Sequence, residues 1–221
     1  MDWHATRKRI TNGPARRRRE ERGRWLAEVF PDLDQMTVLD LGGRVLTWQR
    51  APVRPKHVHC VNLLDPPKDI PDWAEAEVGD ACNLPEHITS RRYDLVFSNS
   101  VIEHVGGHAN RLKFAENVHS LADAHWVQTP YRYFLMEPHL MAPMVQFMPL
   151  TTRAWMARRW PLSYGRGRTT DRSLNQVLNI ELLDRTHMRY YFPDSKIGVE
   201  KAFGMPKSLV AYRTGREDKP R

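Results

Sequence analysis

The fold of this protein is decided by a short stretch, TVLDLGG, at residues 37–43. Five residues of mostly β-prone, apolar character are followed at once by Gly42 and Gly43. A continuous apolar run of this length is typical of a strand buried on both faces, and paired glycines permit a tight turn directly after it. The stretch therefore predicts a central strand whose carboxyl end meets a close backbone turn.

Four further strands are predicted on the carboxyl side of this one, at 57–63, 76–78, 93–98 and 125–129. Helical spacing of apolar residues predicts helices over 16–30 and 102–122. A strand, a helix and another strand in succession imply right-handed parallel crossovers. The predicted fold class is therefore α/β, a Rossmann-like doubly wound sheet.

The last third of the chain departs from this rhythm. Residues 131–175 are rich in Met, Trp, Pro and Arg and do not alternate simply between strand and helix. We interpret them as an insertion or lid after the fifth strand, or else as an amphipathic face that packs on the sheet, on a partner subunit or on a membrane surface. A helix over 181–192 and an antiparallel pair of strands over 196–203 and 208–213 are predicted to complete the sheet.

Length and composition predict one domain. The 221 residues divide into a basic extension (1–24), a main domain (25–214) and a short tail (215–221). Because no apolar run could span a bilayer and residues 1–24 lack the apolar core of a signal peptide, a cytoplasmic protein is expected. Cys60 and Cys82 lie in core-like segments, so buried thiols are expected instead of a disulfide or zinc cluster.

The formal net charge of +8 is concentrated at the amino terminus. Residues 1–24 contain nine Lys or Arg against three acidic residues. Such a run is typical of a solvated face, with RNA, lipid headgroups or an acidic protein as the alternative partners. Because the rest of the chain has little excess charge, a nucleic-acid partner is disfavoured.

Polar residues follow the first three predicted strands at the points where those strands end. They are Asp40 beside the glycine turn, Asn62 about 20 residues later, and Asp80 in the sequence Gly79-Asp80-Ala81. Since parallel strands present their carboxyl ends at one edge, these groups are expected to line a crevice that binds a nucleotide-like ligand.

The chain resembles the class I S-adenosylmethionine-dependent methyltransferases, in particular those similar to the ubiquinone/menaquinone-biosynthesis enzymes (methyltransferase type 11). Three motifs carry the resemblance: VLDLGG (38–43), VGDACNLP (78–85) and YDLVFSNSVIEHV (93–105). The resemblance implies a seven-stranded sheet with a reversed last strand, S-adenosylmethionine as cofactor and S-adenosylhomocysteine as product.

Carried over position by position, the resemblance also implies a set of cofactor-binding residues. They are Asp40, Gly42 and Gly43 at the methionine end, Asn62 and Leu63 at the ribose, Asp80 and Ala81 at the adenine, and Asn99 and Ser100 at the floor. Two positions depart from the family pattern, since Arg44 replaces a glycine and Asn62 replaces the ribose carboxylate. Asp65 is an alternative ribose ligand.

Methyl transfer to a hydroxyl needs a base that accepts the hydroxyl proton. The candidates are His139, then His104, with Glu103 as a third group that could orient a histidine. No metal is required for this chemistry. The Asn/Asp-Pro-Pro-Tyr/Phe motif of DNA and protein amino-methyltransferases is replaced by residues 98–101, SNSV. The sequence thus favours O-methylation of a small molecule, glycan or lipid-linked acceptor.

Two other functions use the same architecture. One is a non-catalytic binding module that keeps the sheet and uses the basic amino terminus for RNA or protein contact. The other is a nicotinamide-dependent oxidoreductase, which is disfavoured because the G-x-G-x-x-G pattern is absent from residues 41–46. Neither the oligomeric state nor the acceptor is determined by these patterns.

Overall fold

The computed structural model describes residues 17–163 and 169–215. The tail beyond residue 215, and the extension before residue 17, lie outside the described residues. In chain order the helices and strands are α1 (17–29), β1 (Thr37–Leu41), α2 (Val45–Gln49), β2 (His57–Asn62), β3 (Ala74–Val78), α3 (Glu86–Thr89), β4 (Leu95–Asn99), α4 (Gly107–Leu121), β5 (His125–Pro130), β6 (Met136–Glu137), β7 (Ala142–Pro143), α5 (Leu150–Arg159), α6 (Thr170–Leu178), α7 (Arg185–Tyr191), β8 (Lys196–Ala202) and β9 (Met205–Arg213).

Seven strands form one sheet in the order β3-β2-β1-β4-β5-β9-β8. The first five are parallel, and β9 pairs antiparallel with both β5 and β8. This confirms the predicted α/β class and the predicted seven-stranded sheet with a reversed last strand. The strand order reverses between β1 and β4, so the carboxyl ends of these two strands flank a topological switch point.

Hydrophobic residues cover both faces of the sheet. On one face α1 and α2 pack through Leu26, Phe30 and Trp48, and Trp25 contacts Trp126 edge to face with ring centroids 4.7 Å apart. On the other face α4 and α7 form the second core. Because α1 runs without a break from 17 to 29, the basic residues at 17–24 belong to the same helix as this packing stripe.

The segment after β5 has a small core of its own. The strands β6 and β7 pair antiparallel, and α5 and α6 pack beside them around Leu140, Val145, Ala157 and Val177. The physical basis is that an inserted segment needs local apolar burial when the main sheet is already covered on both faces. The insertion therefore contains ordered helices and a hairpin.

Two predicted helices begin later than expected. The helix predicted over 102–122 starts at Gly107, because Gly106 and Gly107 have positive φ values of 79° and 70°, outside the right-handed helical region. The helix predicted over 181–192 starts at Arg185, since the Asp184 side chain accepts a hydrogen bond from the backbone of His187 and caps it. As a result Glu103 and His104 lie in a turn.

The two cysteines are buried and free, as expected from their segments. Among the described residues no helix is long and apolar enough to cross a membrane.

Acidification is expected to destabilise the fold through His125. This side chain is buried on β5, and burial together with the neighbouring His119 and Arg213 lowers its pKa to about 3. An unfolded chain has the ordinary histidine pKa, so between pH 6.5 and 3 it binds more protons than the folded protein, and stability falls as pH falls. The expected loss from this group between pH 7 and 4 is about 3 kcal/mol.

Urea unfolding of the protein and of His125→Gln at pH 7 and at pH 4 measures this loss of stability. Glutamine does not titrate and retains a donor for Ser195, whose Oγ lies 2.6 Å from His125 Nε2. We expect the variant to lose less stability than the parent on acidification. An equal loss in both proteins would contradict the assignment.

Candidate functional site

The candidate site lies at the edge of the sheet where the parallel strands end. Strands β1 to β4 end at Leu41, Asn62, Val78 and Asn99, and the register of the sheet brings these ends side by side. The turn after β1 is held against β2 by a hydrogen bond from the Gly42 amide to the Val61 carbonyl (2.7 Å). The crevice therefore opens at the switch point between β1 and β4.

Glycine is required at both positions of the turn after β1. Gly42 has a φ of 79°, and a Cβ there would lie 2.2 Å from Cγ2 of Val101. A Cβ on Gly43 would lie 1.9 Å from the carboxyl carbon of Asp40. The turn can consequently keep this shape only with glycine at both positions.

Asp40 lies beneath this turn. It is 1% exposed, its Oδ2 accepts a hydrogen bond from Trp48 Nε1 (2.8 Å), and its Oδ1 has no hydrogen-bond partner among the described residues. Burial raises the pKa of this carboxyl to about 7. The carboxyl group thus supports the turn from below instead of standing at the surface of the crevice.

The side chain of Asn62 ties the end of β2 to the turn. Its Nδ2 donates to the carbonyls of Gly42 (2.7 Å) and Gly43 (2.9 Å), and its Oδ1 accepts from the Leu64 amide (3.1 Å). The amide donors are therefore satisfied within the protein, while Oδ1 retains a second lone pair. Leu63, beside it, is 74% exposed.

Asp80 organises the turn after β3. Its two carboxylate oxygens accept from the Cys82 amide (2.9 Å) and from Asn83 Nδ2 (2.7 Å). Ala81 is buried, and its carbonyl accepts from Asn117 Nδ2 (2.8 Å). These contacts fix the shape of the loop at the adenine position predicted from the sequence.

Asn99, the last residue of β4, contacts an arginine that was not predicted from the sequence. Arg22 of α1 donates to Asn99 Oδ1 and forms an ion pair with Glu200 Oε2 at 2.7 Å. Ser100 has a φ of 59°, and its hydroxyl donates to Gln128 Oε1 (2.9 Å). Arg22 precedes Leu26 and Phe30 at intervals of four, so helical spacing could have placed it on the buried stripe.

A cavity of about 700 Å³ lies between α1, α2 and the end of β4. Trp48 and Phe97 form its apolar wall, and Arg22, Arg44 and Asn99 contribute polar groups. The five-residue helix α2 borders this cavity. The cavity thus adjoins the predicted methionine end of the cofactor site.

The three predicted catalytic side chains converge on one point. Nε2 of His104 and Nε2 of His139 lie 3.1 Å apart, and Glu103 Oε1 lies 4.0 Å from His104 Nε2. Glu103 is held by Thr129, whose Oγ1 donates to its Oε2 (3.0 Å). Residues 103 and 104 in the turn after β4 are therefore joined to residue 139, which follows β6 in the insertion.

A second carboxylate positions His139. Oε1 of Glu137 lies 2.6 Å from His139 Nδ1, and the Leu140 amide donates to Oε2 of the same carboxylate (2.6 Å). Glu137 was not among the residues predicted for the site from the sequence. Burial raises the pKa of Glu103 to about 7 and lowers the pKa of His104 to about 4.

An open pocket of about 490 Å³ adjoins the two histidines. Its opposite wall is formed by α6 and the residues after it: Arg172, Asn175, Gln176, Asn179 and Ile180. The side chains of His104 and His139 are 39% and 20% exposed, whereas that of Glu103 is fully buried. The two histidines therefore line the pocket, whereas the Glu103 side chain lies behind them.

No protein-family model and no curated protein sequence matches the chain. Solved structures do match it, and the similar structures described here have low sequence identity to it. Magnesium protoporphyrin IX methyltransferase from Synechocystis PCC 6803 with bound S-adenosylhomocysteine has a TM-score of 0.52 and 14% identity over 90% of this chain and 83% of that one. A protein from Listeria monocytogenes described as an S-adenosylmethionine-dependent methyltransferase has a TM-score of 0.54 and 15% identity over 89% and 99%.

A third similar structure is the amino-terminal domain of EvdMO1, determined in the presence of S-adenosylhomocysteine and D-fucose. Its TM-score is 0.50, with 14% identity over 90% of this chain and 83% of that one. Together with the strand order, these likenesses show that the chain has the class I methyltransferase fold.

Proposed function

We propose that this protein is an S-adenosylmethionine-dependent methyltransferase that methylates a hydroxyl group of a small-molecule, glycan or lipid-linked acceptor. The observation that carries the proposal is the turn at Gly42 and Gly43, where a Cβ at either position would collide with the neighbouring side chain. A turn that admits only backbone, at the switch point of a sheet with this strand order, suits close approach by a nucleotide-like cofactor.

The other predicted contact positions fit the cofactor in different ways. Asn62 retains an acceptor lone pair on Oδ1 for a ribose hydroxyl, and Asp80 retains carboxylate lone pairs for the adenine amino group. The exposed apolar side chains of Leu63 and Val78 offer a surface for the adenine ring. Asn99 and Ser100 form the floor, and Asp40 acts by holding Gly43 in place.

When bound, S-adenosylmethionine supplies an electrophilic methyl group on a sulfonium. The acceptor hydroxyl must lose its proton as its oxygen bonds to the methyl carbon and the carbon–sulfur bond breaks. We assign that task to the cluster of Glu103, His104 and His139, whose two histidines line an open pocket. With Glu137 at His139 Nδ1, the Nε2 atom is the basic nitrogen.

The polar lining of the pocket bears on the choice of acceptor. Oxygen and nitrogen acceptors both need a positioned base, but the polar pocket wall of α6, with Asn175 and Arg172, suits a molecule with several hydroxyl groups. The similar EvdMO1 domain was determined with D-fucose, which is a sugar. A hydroxylated sugar or sugar-bearing lipid is therefore the first acceptor class to test.

Calorimetric titration with S-adenosylmethionine and S-adenosylhomocysteine, with NAD as control, tests the proposal directly. We expect saturable binding of the first two ligands at one site per chain and no binding of NAD. An acceptor screen that begins with hydroxylated sugars and lipids would follow. Absence of binding to both sulfur ligands would refute the proposed function.

Replacing Asp80 with alanine is expected to weaken S-adenosylmethionine binding by about tenfold, equivalent to about 1.4 kcal/mol. The reason is that the variant loses both the adenine contact and the two hydrogen bonds that shape the loop. Asp80→Asn is the matched control, because its amide oxygen can still accept from Cys82. Unchanged affinity in the alanine variant would remove the adenine assignment.

A non-catalytic binding module is the second candidate, and a specific observation favours it. The amide of Asn62 and the carbonyl of Asn99 are both engaged by protein groups, including Arg22 from α1. In a methyltransferase-like protein that no longer binds a cofactor, protein side chains would occupy the crevice in this way. The same calorimetric titration distinguishes the two candidates, since a non-catalytic binding module would bind neither S-adenosylmethionine nor S-adenosylhomocysteine.

A further inference from the structure

Three side chains that are suited to bind a metal ion meet beside the open pocket. One ligand atom from each of Glu103, His104 and His139 lies within 4.8 Å of the other two. They come from two separate segments, the turn after β4 and the turn after β6. Convergence from separate segments means that the grouping is produced by the tertiary fold and not by a local sequence pattern.

The two histidines contact each other through their Nε2 atoms. His139 Nδ1 is 2.6 Å from the Glu137 carboxylate, a contact that favours the tautomer with the proton on Nδ1 and a lone pair on Nε2. That lone pair faces Nε2 of His104 at 3.1 Å. Two ring nitrogens about 3.0 to 3.4 Å apart have the spacing of neighbouring ligands on a cation with bonds near 2.1 Å.

Glu103 provides a second, independent observation. Its side chain is fully buried, and although Oε2 accepts from Thr129, Oε1 has no hydrogen-bond partner in the part of the chain that the structure describes. A buried carboxylate oxygen without a partner costs free energy unless a proton or cation compensates it. This same Oε1 is the atom that lies 4.0 Å from His104 Nε2.

We propose that Glu103, His104 and His139 bind one divalent metal ion, with Zn²⁺ or Mn²⁺ the chemically suited cations, and that its remaining coordination positions open into the acceptor pocket. Two imidazoles and one carboxylate with open positions form a metal site that leaves room for substrate oxygen. The Glu103 oxygen must move by about 1 Å toward the histidine pair to reach ordinary ligand spacing. The sequence by itself indicated that no metal is required.

The supporting contacts are those of a metal site. The Glu137 carboxylate fixes the ring orientation of His139 and makes its Nε2 a better ligand, as carboxylates do behind metal-bound histidines. The Leu140 amide holds that carboxylate in turn. The hydroxyl of Thr129 holds the carboxylate of Glu103 by a hydrogen bond to Oε2. The ring of His139 is therefore oriented before any cation arrives, whereas Glu103 is held through Oε2 and its Oε1 has no competing hydrogen bond among the described residues.

The use of this cation rests on the proposed methyl transfer. A divalent cation bound here would coordinate a hydroxyl of the acceptor and lower its pKa, so that the proton could leave to water in the pocket. The histidines would then hold the cation instead of accepting the proton themselves. An acceptor with two adjacent hydroxyl groups would fill two open positions at once.

Calorimetric titration of the full-length, EDTA-treated protein with ZnCl₂ and with MnCl₂ tests the site without any assay of activity. We expect one ion of at least one of the two metals per chain, with micromolar affinity. Glu103→Gln and His139→Gln should each weaken binding at least tenfold, because each removes one of three ligands. His87→Gln is the matched control, since His87 is an exposed histidine that contacts Glu77 elsewhere.

Folding of each variant is checked by S-adenosylmethionine titration and by circular dichroism. Folded Glu103→Gln and His139→Gln proteins that still bind the metals as the parent does would overturn the proposal, as would a parent protein that binds neither metal. Metal binding without S-adenosylmethionine binding would leave this site standing and refute the proposed function. Cofactor binding without metal binding would support the proposed function and refute the metal site.

Discussion

Replacing His139 with alanine is expected to lower turnover of an accepted hydroxyl substrate by about a hundredfold or more, the usual contribution of a positioned acid–base group. S-adenosylmethionine affinity should stay within about twofold, because His139 lies in the insertion and not at the strand ends assigned to the cofactor. The loss follows whether His139 accepts the proton or holds a cation, since both roles act on the acceptor oxygen. Steady-state kinetics, combined with calorimetric cofactor titration, measures the two effects separately.

The matched control for this variant is His87→Ala. His87 is an exposed histidine whose contact is Glu77, on β3, and its removal should leave both turnover and cofactor affinity near those of the parent protein. Equal losses of turnover and cofactor affinity in His139→Ala would mean that the residue supports the fold of the site instead of the chemistry.

Replacing Gly43 with alanine is expected to abolish tight cofactor binding and to destabilise the fold. The added Cβ would lie 1.9 Å from the carboxyl carbon of Asp40, and that side chain is buried and bonded to Trp48, so it cannot move aside freely. Overpacking of this kind costs about 1 to 3 kcal/mol. The turn must shift outward, which should lower S-adenosylmethionine affinity by at least about tenfold.

Gly204→Ala is the control for Gly43→Ala. Gly204 lies in the hairpin between β8 and β9 with a φ of 77°, and a Cβ there would meet no atom within 4 Å. Backbone strain alone should cost about 1 kcal/mol without any change in cofactor affinity. Urea unfolding and calorimetry measure both quantities. A Gly43→Ala protein with the parent's affinity would exclude the turn as the cofactor cradle.

The strands of the sheet were predictable because their signals are local. Val38, Leu39 and Leu41 are fully buried in β1. An apolar run that is followed directly by glycine is typical of such a strand. The reversed pair β8 and β9 was likewise predicted, from two short apolar runs close together. The late start of α4 was not predicted, because the helical spacing of apolar residues continues across Gly106, whose positive φ interrupts the helical backbone.

The candidate site was predictable in composition but not in arrangement. Strand ends placed Asn62 and Asp80 at one edge, yet no pattern indicated that Asn62 would donate to the carbonyls of Gly42 and Gly43. Arg22 was assigned to a charged terminal extension, because a basic run in a sequence is typical of solvated surface. Only the structure shows that its helix packs on the sheet. Its pairing with Glu200 joins residues nearly the whole chain apart.

By itself the sequence determined the class of fold, the position of the glycine turn and the identity of the candidate catalytic groups. The first two follow from side-chain periodicity and backbone freedom, which act over a few residues, and the candidate catalytic groups follow from the proton chemistry of histidine and carboxylate side chains. Only the tertiary structure decided that Glu103, His104 and His139 share one point, with Glu137 behind them. Contacts between distant segments depend on how the inserted helices and hairpin pack against the sheet, and no local pattern encodes that distance.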